Sequence, residues 1–310
     1  MVDPMNAPPS PPPRIVIRQS CSYEAPIHQI VMAGWHRLIS AGGDNRIRVH
    51  HPETGRVLDT FGGFQRHVTG IRSLDDRHVL LILTTRYGLL DLDNGHVEDI
   101  QPSDAGLRAL GDRLAPAQLM AAPMLAPVTF SPPRSNDTVA EARLDANHIV
   151  YATGDRLDGT RNQYFHVWNV HRGREVRNFW GSDSEVLSLV ALDARRVLSS
   201  HEDEFFRIWD VETTEQVRRI EHRRGKAGPM ALIDKAWLLF APVNANEVQR
   251  LYYWQWGPSD RTLRLWDLEG TSELASLQCT GTITELARLA SHRFWARDED
   301  SRLHLIEVQR

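Results

Sequence analysis

Four places in the 310-residue chain gather side chains that could do chemistry. Arg250 to Trp256 reads RLYYWQW, so Tyr252, Tyr253, Trp254 and Trp256 put four aromatic rings into five consecutive positions behind Arg250. Rings of this kind bury large areas at interfaces and stack on flat or apolar ligands. Upstream, RRIEHRRGK carries Arg218, Arg219, Arg223, Arg224 and Lys226. Basic residues beside stackable aromatics are the chemistry of single-stranded nucleic acid. The acidic run HEDE, His201 to Glu204, opposes that use, and opposite charges side by side suit the orientation of a protein partner better. The pair His50-His51 has metal-ligand types, but adjacent strand residues point to opposite faces and cannot chelate one ion.

Motifs for nucleophilic, phosphate-binding or metal-assisted catalysis are absent: there is no G-x-S-x-G, P-loop, G-x-G-x-x-G, H-E-x-x-H or C-x-x-C. A non-catalytic protein without cofactor or metal is expected.

The elements that must position these residues are repeats. Val186 to Ile220 is one complete unit: four short apolar segments separated by polar turns, the length and punctuation of one propeller blade. Its most portable part is an apolar residue, a turn and a strand rich in Leu, Ile and Val. Anchored on Leu192, it recurs at Ala33, Leu74, Leu110, Leu144, Ile233 and Leu289, with spacings of 41, 36, 34, 48, 41 and 56. The Leu110 repeat rests on the likeness of LRALGDR to IRSLDDR (Ile71 to Arg77). Pro116, Pro123, Pro127, Pro132 and Pro133 interrupt it, and proline removes ladder donors, so its strands must be short or bulged. Counted so, there are seven blades; the alternative is six, with 101–140 irregular. From Leu289 only three strands remain before Arg310, while RIVIRQ (Arg14 to Gln19) has no blade of its own. The N-terminal strand is therefore expected to complete the last blade and close the ring.

Trp209-Asp210 and Trp266-Asp267, with Trp168-Asn169 as a near match, fall on third strands, and here the chain resembles the WD40-repeat β-propellers from residue 14 onward. The resemblance implies a buried set in each blade: an Asp in the turn before the third strand, a Ser or Thr on the second strand, the Trp, and a His from the preceding link. Asp44, Asp203, Asp260 and Asp300 stand six positions before the Trp column, but His50, Leu90 and Ile306 replace Trp in other blades. The family His is mostly missing, and only Arg66-His67 resembles its Gly-His step. That role claims Asp203, which leaves His201 and Glu204 short of a metal site.

The fold expected is all-β, one seven-bladed propeller over 14–310 behind a proline-rich tail, 1–13, without fixed structure. The tail reads as a spacer before it reads as a polyproline ligand. Net charge of -4 argues against a general nucleic-acid binder. Two lysines against 34 arginines read as the codon usage of a GC-rich, bacterial genome. Two cysteines, no signal-peptide core and no membrane-length apolar run place the protein in the cytoplasm, off the membrane. Long connections between second and third strands, 155–163 and 241–260, account for the two long spacings and should project from one rim. The function expected is a scaffold, a monomeric ring within a hetero-complex, holding a protein partner on that rim through Arg250, Tyr252, Tyr253, Trp254, Trp256, Arg223 and Arg224. The alternatives are a small-molecule or carbohydrate binder or enzyme using the aromatic insertion or the central channel, and RNA binding at 218–226.

Overall fold

Alternating apolar and polar positions in short runs leave each strand with one face to bury, and no four-stranded sheet can cover both of its own faces. Stacking such sheets around an axis solves this. A computed structural model describes residues 12–310 apart from 35, 74, 85, 101–137, 146, 156–161, 170–173, 235 and 244–260. The described residues form a β-propeller of six four-stranded antiparallel blades.

Blade one contains β2 (Ile27–Ala33), β3 (Arg37–Gly42), β4 (Ile47–His50) and β5 (Val57–Phe61), from the channel outward. Blade two follows with β6 (Val68–Ser73), β7 (His78–Leu83), β8 (Tyr87–Asp91) and β9 (Val97–Ile100). Blade three has β10 (Thr138–Arg143), β11 (His148–Asp155), β12 (Asn162–Asn169) and β13 (Arg174–Ser182). Blade four has β14 (Val186–Ala191), β15 (Arg196–His201), β16 (Phe205–Asp210) and β17 (Glu215–Glu221). Blade five has β18 (Lys226–Ile233), β19 (Trp237–Val243), β20 (Thr262–Asp267) and β21 (Ser272–Gln278). Blade six takes β22 (Ile283–Ala290), β23 (Arg293–Asp298) and β24 (Leu303–Gln309) from the end of the chain, and its outer strand is β1 (Arg14–Cys21).

The count of seven is thus corrected to six. Arg72 on β6 reaches Glu141 on β10 at 3.6 Å, across the junction of blades two and three, and the described residues form no seventh sheet. The likeness of LRALGDR to IRSLDDR spans one turn of a four-strand unit, and a turn is not a blade. The Leu110 repeat itself, with its prolines, lies in 101–137, outside the described residues.

Closure follows the expected route. β1 pairs antiparallel with β24 from Arg14↔Gln309 to Cys21↔Leu303, with a register shift between Ile17 and Gln19. Arg18 donates Nε and Nη2 to the Glu307 carboxylate at 3.0 and 2.8 Å across this pair. Ile15 enters the core shared by blades five and six, with Leu239, Leu265, Ile283, Phe294 and Ile306. Similar apolar clusters fill the junctions of blades one and two, three and four, four and five, and six and one.

Arginines sew the junctions at the face that carries the third-to-fourth-strand turns. Arg37 pairs with Asp93 of the next blade at 2.9 Å, Arg177 donates to the Val211 carbonyl at 2.6 Å, and Arg218 donates to that of Leu268 at 2.8 Å. Arg293 of blade six pairs with Glu53 of blade one, where Trp295 Nε1 also donates to the Pro52 carbonyl at 2.7 Å. Five donors in a planar fork suit guanidinium to such carbonyl and carboxylate targets, a use that an ammonium would serve less well.

Gly55 sits where this seam is tightest. Its φ of +62° is a left-handed conformation, and a Cβ there would lie 2.8 Å from Cys21 Sγ and 2.9 Å from the Trp295 ring. Its carbonyl accepts from Tyr23 Oη at 2.7 Å and from His50 Nδ1 at 3.0 Å.

Two outcomes are expected. Deleting residues 1–13 leaves the melting temperature unchanged, whereas deleting 1–20 removes the closing strand and costs more than about 3 kcal/mol in chemical denaturation. Gly55→Val, which combines a positive φ with a clash, lowers stability by about 2–4 kcal/mol, measured the same way.

Candidate functional site

In an antiparallel meander the second-to-third-strand connections and the links between blades share one face, here called the upper face. The chain leaves β11 at Asp155 and β19 at Val243 on that face, so the connections on blades three and five flank blade four as the spacing predicts. Arg250, Tyr252, Tyr253, Trp254, Trp256 and Asp260 lie in 244–260, outside the described residues.

The same face carries aromatics that sequence reasoning passed over. Phe179 on β13 turns into the core against Phe165 at 5.3 Å, and the adjacent Trp180 must take the opposite face, where it is 50% exposed. Its cross-strand partner on β12 is Tyr164, 39% exposed. Both lie near the upper ends of their strands, beside the connection 156–161. Neither the Tyr164 hydroxyl nor the Trp180 indole N–H has a hydrogen-bond partner among the described residues. The signal was in the sequence: two consecutive aromatics in RNFWGS cannot both point inward from one strand.

On blade four the charges are compensated. Arg207 donates Nη1 to Asp203 Oδ1 at 3.0 Å, and Arg219 lies 3.8 Å from the same carboxylate with its guanidinium 3.6 Å above the Phe205 ring. Burial works against the Asp203 charge, but the Arg207 bonds prevail and hold its carboxyl below the usual range. In the arginine-rich link Arg223 pairs with Glu221 at 2.7 Å, Arg224 with Glu273 at 3.1 Å and Lys226 with Glu202 at 3.2 Å. Arg218 is committed to the Leu268 carbonyl. Each basic residue of the link therefore has an acceptor within the ring.

The repeat positions build buried polar sets, assembled differently from the arrangement the resemblance implies. In blade four Trp209 Nε1 donates to Ser199 Oγ at 2.8 Å, and Ser199 Oγ lies 2.7 Å from His201 Nε2. His201 Nδ1 meets the Ser184 carbonyl at 3.0 Å, which fixes the proton there and makes Nε2 the acceptor. The histidine comes from the end of the second strand, not from the link. Asp203 and Asp44 turn instead to Arg207 and Arg48, four residues on. In blade one His50, in the Trp column, faces Ser40 Oγ at 2.7 Å. In blade six Asp298, not Asp300, takes the inner role: its Oδ2 is 3.0 Å from His304 Nε2, and His304 Nδ1 is 2.8 Å from Ser20 on the closing strand. Asp300 pairs with Arg302 at the surface. Trp168 is buried in blade three.

Blade five departs furthest. Phe240 occupies the place that Ser199 holds in blade four, opposite Arg264 as Ser199 is opposite Arg207. Trp266 is buried with no acceptor for its N–H among the described residues. His222, in the link before this blade, fills the space: it stacks on Phe206 at 4.1 Å and meets the edges of Phe240 and Trp266 at 5.6 and 6.2 Å. It is 3% exposed, and neither ring nitrogen has a hydrogen-bond partner among the described residues. EHRRG has no Gly-His step to mark His222 as a link histidine in the sequence.

Asp203, His201 and Glu204 do not converge on a common point: His201 turns inward, Asp203 to Arg207, and Glu204 accepts from Gly225 N at 3.3 Å. Among the described residues no group of three or more His, Cys, Asp or Glu is placed to hold a metal ion. No helix among them is long and apolar enough to cross a membrane. The fold and rim define a six-bladed β-propeller. No protein-family model matches the chain, and no curated protein matches it either.

The three inward histidines give a pH signature. Burial pushes His50 and His222 down to about 4 and His201 to about 3, so all three are neutral in the native state at pH 6. The unfolded chain binds these protons from about pH 6.5 downward. Stability is therefore full above that pH and falls through the window from 6.5 to 4, by about 4 kcal/mol per pH unit at its steepest. Urea titrations at pH 7, 6, 5 and 4.5 should show this slope, reduced by about a third in His222→Phe.

Proposed function

We propose that this chain is a non-catalytic, WD40-like propeller that serves as a scaffold or recognition subunit and holds a protein partner on its upper rim. The observation that carries the reading is the exposed Tyr164/Trp180 pair, on the rim where the two long connections emerge. Aromatic side chains of this kind supply most of the energy at protein interfaces. The compensated charges of blades four and five support it as well. Arg223, Arg224 and Lys226 each pair with a carboxylate, so the rim presents alternating signs, which orient a partner. A nucleic acid would have to displace those carboxylates before gaining any phosphate contact, which leaves RNA at 218–226 the weakest of the readings. Tyr252, Tyr253, Trp254 and Trp256, with Arg250, belong to the proposed surface on the sequence alone and lie outside the described residues. Cys21 and Cys279 are free thiols, in keeping with a reducing, cytoplasmic setting.

The test is capture of a stoichiometric protein by the tagged chain from its native source. Tyr164→Ser/Trp180→Ser and Tyr253→Ser/Trp254→Ser should each reduce recovery at least tenfold with the melting temperature within 2 °C of wild type, on the order of a surface change. Recovery of the bare propeller from wild type, together with stabilisation by a sugar or metabolite, would replace the scaffold with the ligand-binding reading.

A further inference from the structure

The Tyr164/Trp180 pair has a specific chemistry. Tyr164 and Trp180 are cross-strand partners whose Cβ atoms lie about 5 Å apart in β geometry, 39% and 50% exposed, and neither the Tyr164 hydroxyl nor the Trp180 N–H has a hydrogen-bond partner among the described residues. A ligand matched to this pair offers flat apolar faces at short intervals and carbonyl oxygens that nothing else satisfies. Polyproline-II helix does both: it has no internal hydrogen bonds, and its proline rings repeat along aromatic-lined grooves. An added strand would pair with the free edge of β13 in the plane of the sheet and leave the faces that carry Tyr164 and Trp180 uncovered, and a helix would hide its carbonyls.

The chain carries such a segment. Pro8, Pro9, Ser10, Pro11, Pro12 and Pro13 run directly into β1. β1 is the outer strand of blade six, three junctions from blade three in either direction around a six-blade ring. From the outer strand of blade six to the outer strand of blade three there are six strand spacings, roughly 29 Å at about 4.8 Å each, before the channel is added. Six residues, 8–13, would span about 19 Å in polyproline form, at about 3.1 Å each. This segment therefore falls short of blade three of its own ring and can meet it only on another copy.

We infer that Tyr164 and Trp180 form a docking site for a polyproline-II segment, and that its occupant is residues 8–13 of a second copy of this chain. The inference rests on the rim being an interaction surface and names the partner class at blade three. Each copy offers one tail and one site, so association grows with concentration and is lost when either element is removed.

The experiment uses a fluorescein-labelled peptide of residues 1–14 titrated into the chain lacking residues 1–11, with sedimentation velocity of the full chain at rising concentration alongside. Saturable binding is expected, weakened at least tenfold by Trp180→Ala and less by Trp180→Phe, which keeps a ring but loses the donor. The full chain should sediment faster with concentration, and neither the shortened chain nor full-length Trp180→Ala should. Circular dichroism melts of each variant establish that the ring is intact. No peptide binding at millimolar concentration overturns the inference. Binding of an unrelated proline-rich peptide but not this one also overturns it, in favour of a proline-rich segment of another protein. Either negative result, with partner capture still lost in Tyr164→Ser/Trp180→Ser, leaves the scaffold reading standing and only the occupant wrong.

Discussion

The fold depends on one strand supplied from the far end of the chain. Blade six has three strands of its own, and without β1 the apolar positions of β24 and the outer part of β21 would face water. Burial drives every junction, but burial alone does not select a ring over an open array, because each added blade leaves a new bare face. The β1–β24 ladder ends that regress. It is reinforced where the ends meet: Ile15 in the core, Arg18 on Glu307, Ser20 on His304, and Tyr23 and Trp295 converging on the loop around Gly55. Polar and apolar contacts agree on the same closure, which is what makes one topology win over its neighbours.

Within that frame the blades use unlike means to hold their third strands. One joins Trp, Ser and His in series, one puts His in the Trp place, one uses Asp with His, and one fills the space with an aromatic box around His222. What they share is the constraint and not the residue. A bulky group on the third strand must be braced from the second strand or the preceding link, and any pairing that leaves few buried donors without acceptors suffices. Blade five tolerates two exceptions, at Trp266 and His222, because surrounding rings compensate in dispersion for what is lost in hydrogen bonding.

Much of this is legible in the sequence. The anchors at Ala33, Leu144, Leu192, Ile233 and Leu289 mark apolar-turn-strand units because side-chain period and turn chemistry are local, and local rules are written in the sequence. The closing strand was legible by subtraction, RIVIRQ being a strand without a sheet. The blade count was not: the described residues form six sheets, one fewer than the anchors suggest, the Leu110 anchor lies outside them, and the Arg72–Glu141 contact, a matter of three-dimensional neighbourhood, shows blades two and three facing each other. At the rim, the eye goes to four aromatics in five positions and passes over Trp180, whose exposure depends on Phe179 winning the inner face. The engagement of Arg218, Arg223 and Arg224 was hidden for the same reason, since their acceptors Leu268, Glu221 and Glu273 are mostly distant in sequence.

The direction of the closing ladder has a mechanical meaning. Because β1 and β24 are antiparallel, Arg14 lies opposite Gln309, and tension applied at those two residues would act at the same end of the ladder. Force along that line peels the pair one hydrogen bond at a time instead of loading all of them in shear. The register shift after Ile17 and the Arg18 clamp on Glu307 stand part-way along this path, so peeling would halt there before it ran to Cys21. A ring closed through buried junctions is in this sense held by a zip fastener with a catch part-way along.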